Sequence, residues 1–246
     1  MIPLQDILPR RKPPVMTWLI ILINALVFFH ELHLTPYQRE IFFQTWGFIP
    51  ARFFSSTATL LVTEPFYQKY LTLITHLFIH GSWFHIIGNM WTLWIFGDNV
   101  EDRLGPFRFL VFYLVCGILA SLFHGYVYPN STIPVVGASG AISAVMGAYF
   151  VMYPFARIVV LFPLLFIPLI FEVPAFLFLI YWFFIQFYSG LFSLVVPGGV
   201  GGIAWFAHVG GFVSGMVLHK VFCRKGCRFY PDEYTVFGSL FGIDKD

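Results

Sequence analysis

Ser139 stands in the string "GASGAI", between small residues, at the point where an apolar run begins. A serine hydroxyl becomes a useful nucleophile only when a base takes its proton, and an imidazole, with an ordinary pKa of about 6.5, suits that task. His208, in "AHVGGF", is the candidate base. On another segment His85 and Asn89 are spaced i, i+4, which puts both on one face of a helix. Each carries an N–H that can donate to a developing oxyanion. A helix beginning at Ser139 would add unpaired backbone N–H groups, with Gly137 and Gly140 keeping the approach unobstructed. Together these residues can perform acyl transfer with a two-membered Ser–His unit, because no acidic third member lies nearby in the pattern.

Each residue also has an ordinary explanation. Serine caps helices and lets neighbours approach closely, a histidine can be a hydrogen-bonded packing residue, and an asparagine can tie two helices together. Which explanation holds depends on whether the elements that carry these side chains bring them to one place.

Those elements are membrane helices. Of 246 residues, 59% are hydrophobic, 21% aromatic and only 11% charged, against roughly a quarter charged in a soluble domain. Several apolar runs approach the ~20 residues needed to cross hydrocarbon, and backbone facing lipid must satisfy its own polar groups. The chain is therefore expected to be an all-α polytopic membrane protein. Six helices are expected, over about Val15–Leu32, Leu71–Phe96, Pro106–Val127, Gly137–Tyr153, Pro174–Leu194 and Gly202–Phe222. Arg157–Val173 is apolar but interrupted by Pro163, Pro168 and Glu172, so it is expected to hug the membrane and not to cross it. The resulting organisation is a cytoplasmic segment over 1–14, a membrane domain over 15–222 and a cytoplasmic tail over 223–246.

Orientation follows from the cations. Arg10, Arg11, Lys12, Arg103, Arg108, Arg157, Lys220, Arg224, Lys225 and Arg228 all fall on one face of a six-span chain, so both termini are expected in the cytoplasm. His85, Asn89, Ser139 and His208 then occupy the outer halves of the second, fourth and sixth helices, at comparable depth. Polar side chains within a bilayer are costly and face the bundle interior, so a common depth suggests one site. Stripes of small residues add a second reason. Ser139, Ser143 and Gly147 recur on the fourth helix, and Ala204, His208, Gly211 and Gly215 on the sixth. Such stripes let membrane helices pack with their backbones close, which would set Ser139 beside His208.

Other classes are disfavoured. A net charge of +2 offers no nucleic-acid footprint. Cys116, Cys223 and Cys227 suggest neither a disulfide framework nor a zinc site. His76, His80 and His85 raise the possibility of a membrane metal enzyme, but the further ligands that such a centre needs are missing. His80 is expected to support the site, while His30, His33, His124 and His219 are expected to be interfacial residues near span ends. A transporter is disfavoured by the lack of an inverted repeat.

"HIIGN" (85–89), "GASGAI" (137–142) and "AHVGGF" (207–212) together resemble the three signature segments of the rhomboid intramembrane serine proteases, in that family's order and on its second, fourth and sixth helices. "WGFIPARFF" (46–54) is similar to the family's interfacial segment. The resemblance implies Ser139 as nucleophile and His208 as general base, with His85, Asn89 and the Ser139 backbone N–H lining the oxyanion hole. It implies no metal or cofactor, a lipid bilayer as surroundings and transmembrane proteins as substrates, cut near the outer membrane face. A relative that binds membrane segments without cutting them is the alternative, disfavoured because both Ser139 and His208 are present. Where some members have a tyrosine packed on the base, this chain has Ser143, so another residue must orient His208. "VVPGGVGG" (195–202) is expected to be a mobile cap over the site, and the short basic amino terminus suggests a bacterial plasma membrane.

Overall fold

The computed structural model describes residues 1–54, 66–164, 167–195 and 203–223. The expected cap after Val195 and the tail after Cys223 lie outside the described residues.

Helices dominate. They are α1 (Val15–Leu32), α2 (Pro36–Trp46), α3 (Pro50–Phe54), α4 (Phe66–Thr75), α5 (Trp83–Leu104), α6 (Pro106–Val127), α7 (Ser139–Met152), α8 (Ala175–Val195) and α9 (Trp205–Phe222). By length and composition α1, α6 and α8 are each able to cross a membrane, and α7 is a shorter apolar helix. This is a membrane protein. At its centre is α7, in which every residue from Gly140 to Tyr149 is buried. Its most extensive packing is against α9, with α6 and α5 on its other sides.

The long helix expected over Leu71–Phe96 is in fact two elements with a break. A 3-10 turn at His76–Phe78 follows α4, and α5 starts afresh when the Ser82 hydroxyl accepts the His85 N–H at 3.2 Å, a serine N-cap. At the other end, Gly105 with φ 80° stops α5, and Pro106 opens α6, where its missing N–H costs nothing.

The all-α expectation needs one correction. Three antiparallel strands, β1 (Ile2–Asp6), β2 (Arg157–Leu164) and β3 (Ile167–Pro174), form a sheet in the order β1-β2-β3. The segment expected to hug the membrane is thus a hairpin, and residues expected as a separate amino-terminal segment supply its third strand. The physical reasons are local. Pro163, Pro168 and Pro174 forbid a continuous helix, while Ile158, Val159 and Val160 favour a pleated strand. Pro163 pairs with Pro168 beyond the stretch Ile158–Leu161 that β1 covers, so it interrupts no ladder on that side. Ile158 and Val160 point into the core. Cys116 is a buried thiol, whereas Cys223, contrary to expectation, is disulfide-bonded.

Candidate active site

The small stripes on α7 and α9 meet as expected, and the contact is backbone against side-chain-free backbone. A Cβ built on Gly211 would collide with the Gly140 carbonyl oxygen, one on Gly215 with that of Ala144, and one on Gly147 with that of Phe212. At this separation the Ser139 Oγ lies 2.8 Å from His208 Nε2. Ser139 is the first residue of α7 and His208 the fourth of α9, so both sit at helix starts pointing the same way. Gly140 serves packing, since a Cβ there would lie 2.9 Å from that of Ala120 on α6.

The segment leading into Ser139 is tied down on two sides. Phe48 and Val135 exchange both backbone hydrogen bonds, at 3.0 and 2.7 Å, which anchors it to the connection between α2 and α3. The Gly137 N–H donates to the His76 carbonyl at 2.9 Å. Gly137 has φ +123°, a conformation open to glycine, and a Cβ there would lie 2.6 Å from His85 Nε2 and 3.7 Å from Asn89 Nδ2. Both α5 side chains therefore lie beside the backbone two residues before Ser139.

The donors at this spot have capacity to spare. Asn89 is 8% exposed, and its Nδ2 has no hydrogen-bond partner among the described residues. The Gly81 N–H donates to His85 Nδ1 at 3.4 Å, which leaves His85 Nε2 as the proton-bearing nitrogen on the side facing Gly137. His80 packs edge-on against His85 with ring centroids 4.9 Å apart, and its backbone N–H is held by Glu31 at 3.1 Å. His80 thus backs the His85 ring.

His124 and His219 lie in the last turns of α6 and α9, and both are buried. His124 lines a cavity of about 1090 Å³ that also contains Ser139, His208, His85, Asn89 and Gln186. Among the described residues no three His, Cys, Asp or Glu side chains converge as metal ligands.

Sequence reasoning missed the neighbours of His208. Gln186, on α8, places Oε1 2.8 Å from His208 Nδ1. The Trp182 and Trp205 rings lie 6.0 and 6.2 Å from the imidazole, tilted by 35° and 85°. Two indoles therefore flank the base where Ser143 has no ring to offer. The Ser143 hydroxyl instead donates to the Ser139 carbonyl at 2.6 Å. The one sequence signal for Gln186 was a lone amide within an apolar, aromatic helix.

Parts of this chain are similar to known proteins. The stretch of this chain similar to the presenilin-associated rhomboid-like protein, mitochondrial, of Bos taurus is 38% identical over 88 residues, 35% of this chain and 23% of that protein. Rhomboid protein 1, mitochondrial, of Saccharomyces cerevisiae is 31% identical over 104 residues, 40% and 30% of the two chains. Rhomboid-like protein 11, chloroplastic, of Arabidopsis thaliana is 39% identical over 69 residues, 28% and 24% of the two. The matched stretches thus span about a quarter of the length of these relatives. Residues 67–225 match the rhomboid domain, a region that holds Ser139, His208, His85, Asn89 and all the packing between α7 and α9: the chain belongs to the rhomboid family.

Proposed function

We propose that this protein is an intramembrane serine endopeptidase that cuts transmembrane segments of other proteins through Ser139 and His208. The observation that carries the reading is the 2.8 Å contact between Ser139 Oγ and His208 Nε2. A hydroxyl hydrogen-bonded to an imidazole nitrogen is a nucleophile with its base in place. Attack on a peptide carbonyl passes the hydroxyl proton to His208 Nε2 and puts negative charge on the carbonyl oxygen. In this reading the Asn89 Nδ2–H, the His85 Nε2–H and the Ser139 backbone N–H would donate to the oxygen where that charge develops. Collapse expels the amine, protonated by His208, and water then hydrolyses the acyl-enzyme by the same route.

The helix lengths support a site below the membrane surface. At 1.5 Å per residue, the 14 residues of α7 reach roughly 21 Å, short of the ~30 Å hydrocarbon thickness. A helix this short, surrounded by longer ones, places its first residue within the bilayer if its other end reaches the opposite face. In this reading α1, α5, α6, α7, α8 and α9 all cross, with both termini on the cation-rich cytoplasmic side and the dyad towards the other side. A substrate helix would reach the dyad laterally and must unwind, because a regular helix spends its carbonyls on its own hydrogen bonds. The relatives named above are mitochondrial and chloroplastic and lend no support to the bacterial plasma membrane suggested by the amino terminus.

The test uses the purified chain, a fluorophosphonate probe and a panel of single-span substrates. The label should map to Ser139 by mass spectrometry, and Ser139→Ala should abolish both labelling and cleavage, a loss of roughly 10⁴-fold or more. Cleavage undiminished in Ser139→Ala would exclude the nucleophile assignment.

A further inference from the structure

We infer that Gln186 is a positioning residue for the proposed reaction: its side-chain oxygen selects the His208 tautomer that can act as base, and then shares the charge of the imidazolium. The inference rests on the Ser139–His208 reading and extends it to a third helix.

The geometry has a direction. Gln186 Oε1 is an acceptor, so the His208 nitrogen 2.8 Å away, Nδ1, must carry the proton. A neutral imidazole has one N–H. With that proton on Nδ1, Nε2 keeps its lone pair, and Nε2 is the nitrogen 2.8 Å from Ser139 Oγ. The opposite tautomer would turn an N–H towards the serine hydroxyl and leave no base there. When Nε2 takes the serine proton, both ring nitrogens carry protons, and Nδ1–H still meets the amide oxygen, whose dipole opposes the new positive charge. The Gln186 amide does this without a net charge of its own, which suits a bilayer, where a buried carboxylate is costly.

The setting argues that the amide is there for this contact. Gln186 is 6% exposed and is the single amide in a helix otherwise made of aliphatic, aromatic and small residues. Burying such a group without a partner is unfavourable. Its oxygen lies on His208, which belongs to another helix and is 22 residues away in sequence. Trp182, one turn earlier on α8, also faces the imidazole, so α8 presents both a wall and an acceptor to the base.

The experiment follows the rate of fluorophosphonate labelling of Ser139 in the full chain across pH 5–9. The reaction forms an O–P bond, breaks P–F, releases fluoride and sends the serine proton to His208 Nε2, so it reads the base directly and needs no protein substrate. Gln186→Met keeps length and apolar volume but removes the acceptor; it should slow labelling about tenfold. Gln186→Glu restores an acceptor and adds charge; it should return the rate to near wild type and move the rate-versus-pH curve by about one unit. Rescue with a displaced curve is an outcome that loss of packing cannot produce. Gln186→Met labelling at the wild-type rate and pH dependence, or both variants equally slow at every pH, would overturn the role given to Gln186 while leaving the dyad standing. A wild-type chain labelled elsewhere than Ser139 would overturn the dyad and this role together.

Discussion

Two ends of the helical core treat buried polar groups in opposite ways. Where α5, α7 and α9 begin, polar atoms are left with spare capacity: Asn89 Nδ2 and His124 Nδ1, on side chains that line the cavity, and both ring nitrogens of His80, beside His85, are buried with no partner among the described residues. Where α5 ends, polar atoms are used up. Glu101 accepts from the Met16 N–H at 2.9 Å, the Thr17 N–H at 2.7 Å and the Thr17 hydroxyl at 2.8 Å. The start of α1 has Pro14 at its cap position and no side-chain cap of its own, so Glu101 supplies from α5 the acceptors that the first turn lacks. Nearby, Asp6 Oδ2 accepts from Asn99 Nδ2 at 2.7 Å and from the Tyr149 hydroxyl at 2.8 Å, while the Tyr153 hydroxyl donates to the Asn99 carbonyl at 3.2 Å. Unspent donors in a cavity destabilise the resting fold and suit a charge that appears during reaction. Closed networks anchor elements. The contrast predicts that substitutions at the first end change rates and those at the second change stability.

Among substitutions that leave Ser139 and His208 in place, the largest effect should come from Asn89→Ala. Removing one oxyanion donor costs about 10²–10³ in kcat in a well-studied protease, and a similar loss of cleavage is expected here. Because Asn89 Nδ2 has no partner among the described residues, the Tm should stay within about 2 °C of wild type. Cleavage kinetics and thermal unfolding measured on the same preparation decide this. A large fall in Tm with the turnover rate intact would place Asn89 with the anchors and erase the contrast.

The two ends were also unequally legible in the sequence. Ser139 and His208 could be paired in advance because the small residues flanking each name the face on which its helix packs, and the collisions a Cβ would suffer at Gly211 and Gly215 are the physical form of that pattern. The bounds of α1 and α6 were legible because apolar runs end at clear breakers. The sheet was not legible, since β1 is five residues long and its partner Val160 is more than 150 positions away from Pro3; pairing over such a distance leaves no local periodicity. The helix expected over Leu71–Phe96 was drawn too long at its start because the apolar residues of α4 and the 3-10 turn lead into those of α5, with only Ile79–Ser82 between them to break the helix. Gln186 carried no spacing signal at all. Its meaning arises only when α8 packs beside α9.

Glu101→Ala comes next in size. It removes the acceptors for three donors at the start of α1, in a site where Thr17 is 1% and Glu101 2% exposed. Hydrogen bonds to a charged group contribute about 1.5–3 kcal/mol each and are not additive, so a total of roughly 2–4 kcal/mol is reasonable. At about 2–4 °C per kcal/mol for a chain of this size, the Tm should fall by about 5–15 °C. Fluorophosphonate labelling of the folded fraction at 25 °C should proceed at the wild-type rate, because nothing at the other end depends on this carboxylate. A labelling rate that falls in step with stability would mean that the two ends are mechanically one.

The smallest effect concerns Asp6, and it sharpens the contrast by adding pH. Burial pushes the Asp6 carboxyl up from 3.8 to about 7; the Tyr149 hydroxyl opposes the rise and the neighbouring Asp98 charge adds to it. The folded protein thus holds the Asp6 proton more tightly than the unfolded chain does. The stability this contributes is complete below about 3.8 and is lost as pH rises through about 7. Between pH 5 and pH 8 the wild-type Tm should therefore decline by a few degrees. Asp6→Asn retains an acceptor oxygen for Asn99 and Tyr149 but cannot ionise, so it should flatten that decline. The labelling rate of Ser139 at any fixed pH should not change, since Asp6 itself touches α5 and α7 through Asn99 and Tyr149, at the end away from Ser139 and His208. A slope in Asp6→Asn as steep as in wild type would assign the pH dependence to some other group, and a changed labelling rate would tie the docking of β1 to the chemistry at the opposite end of α7.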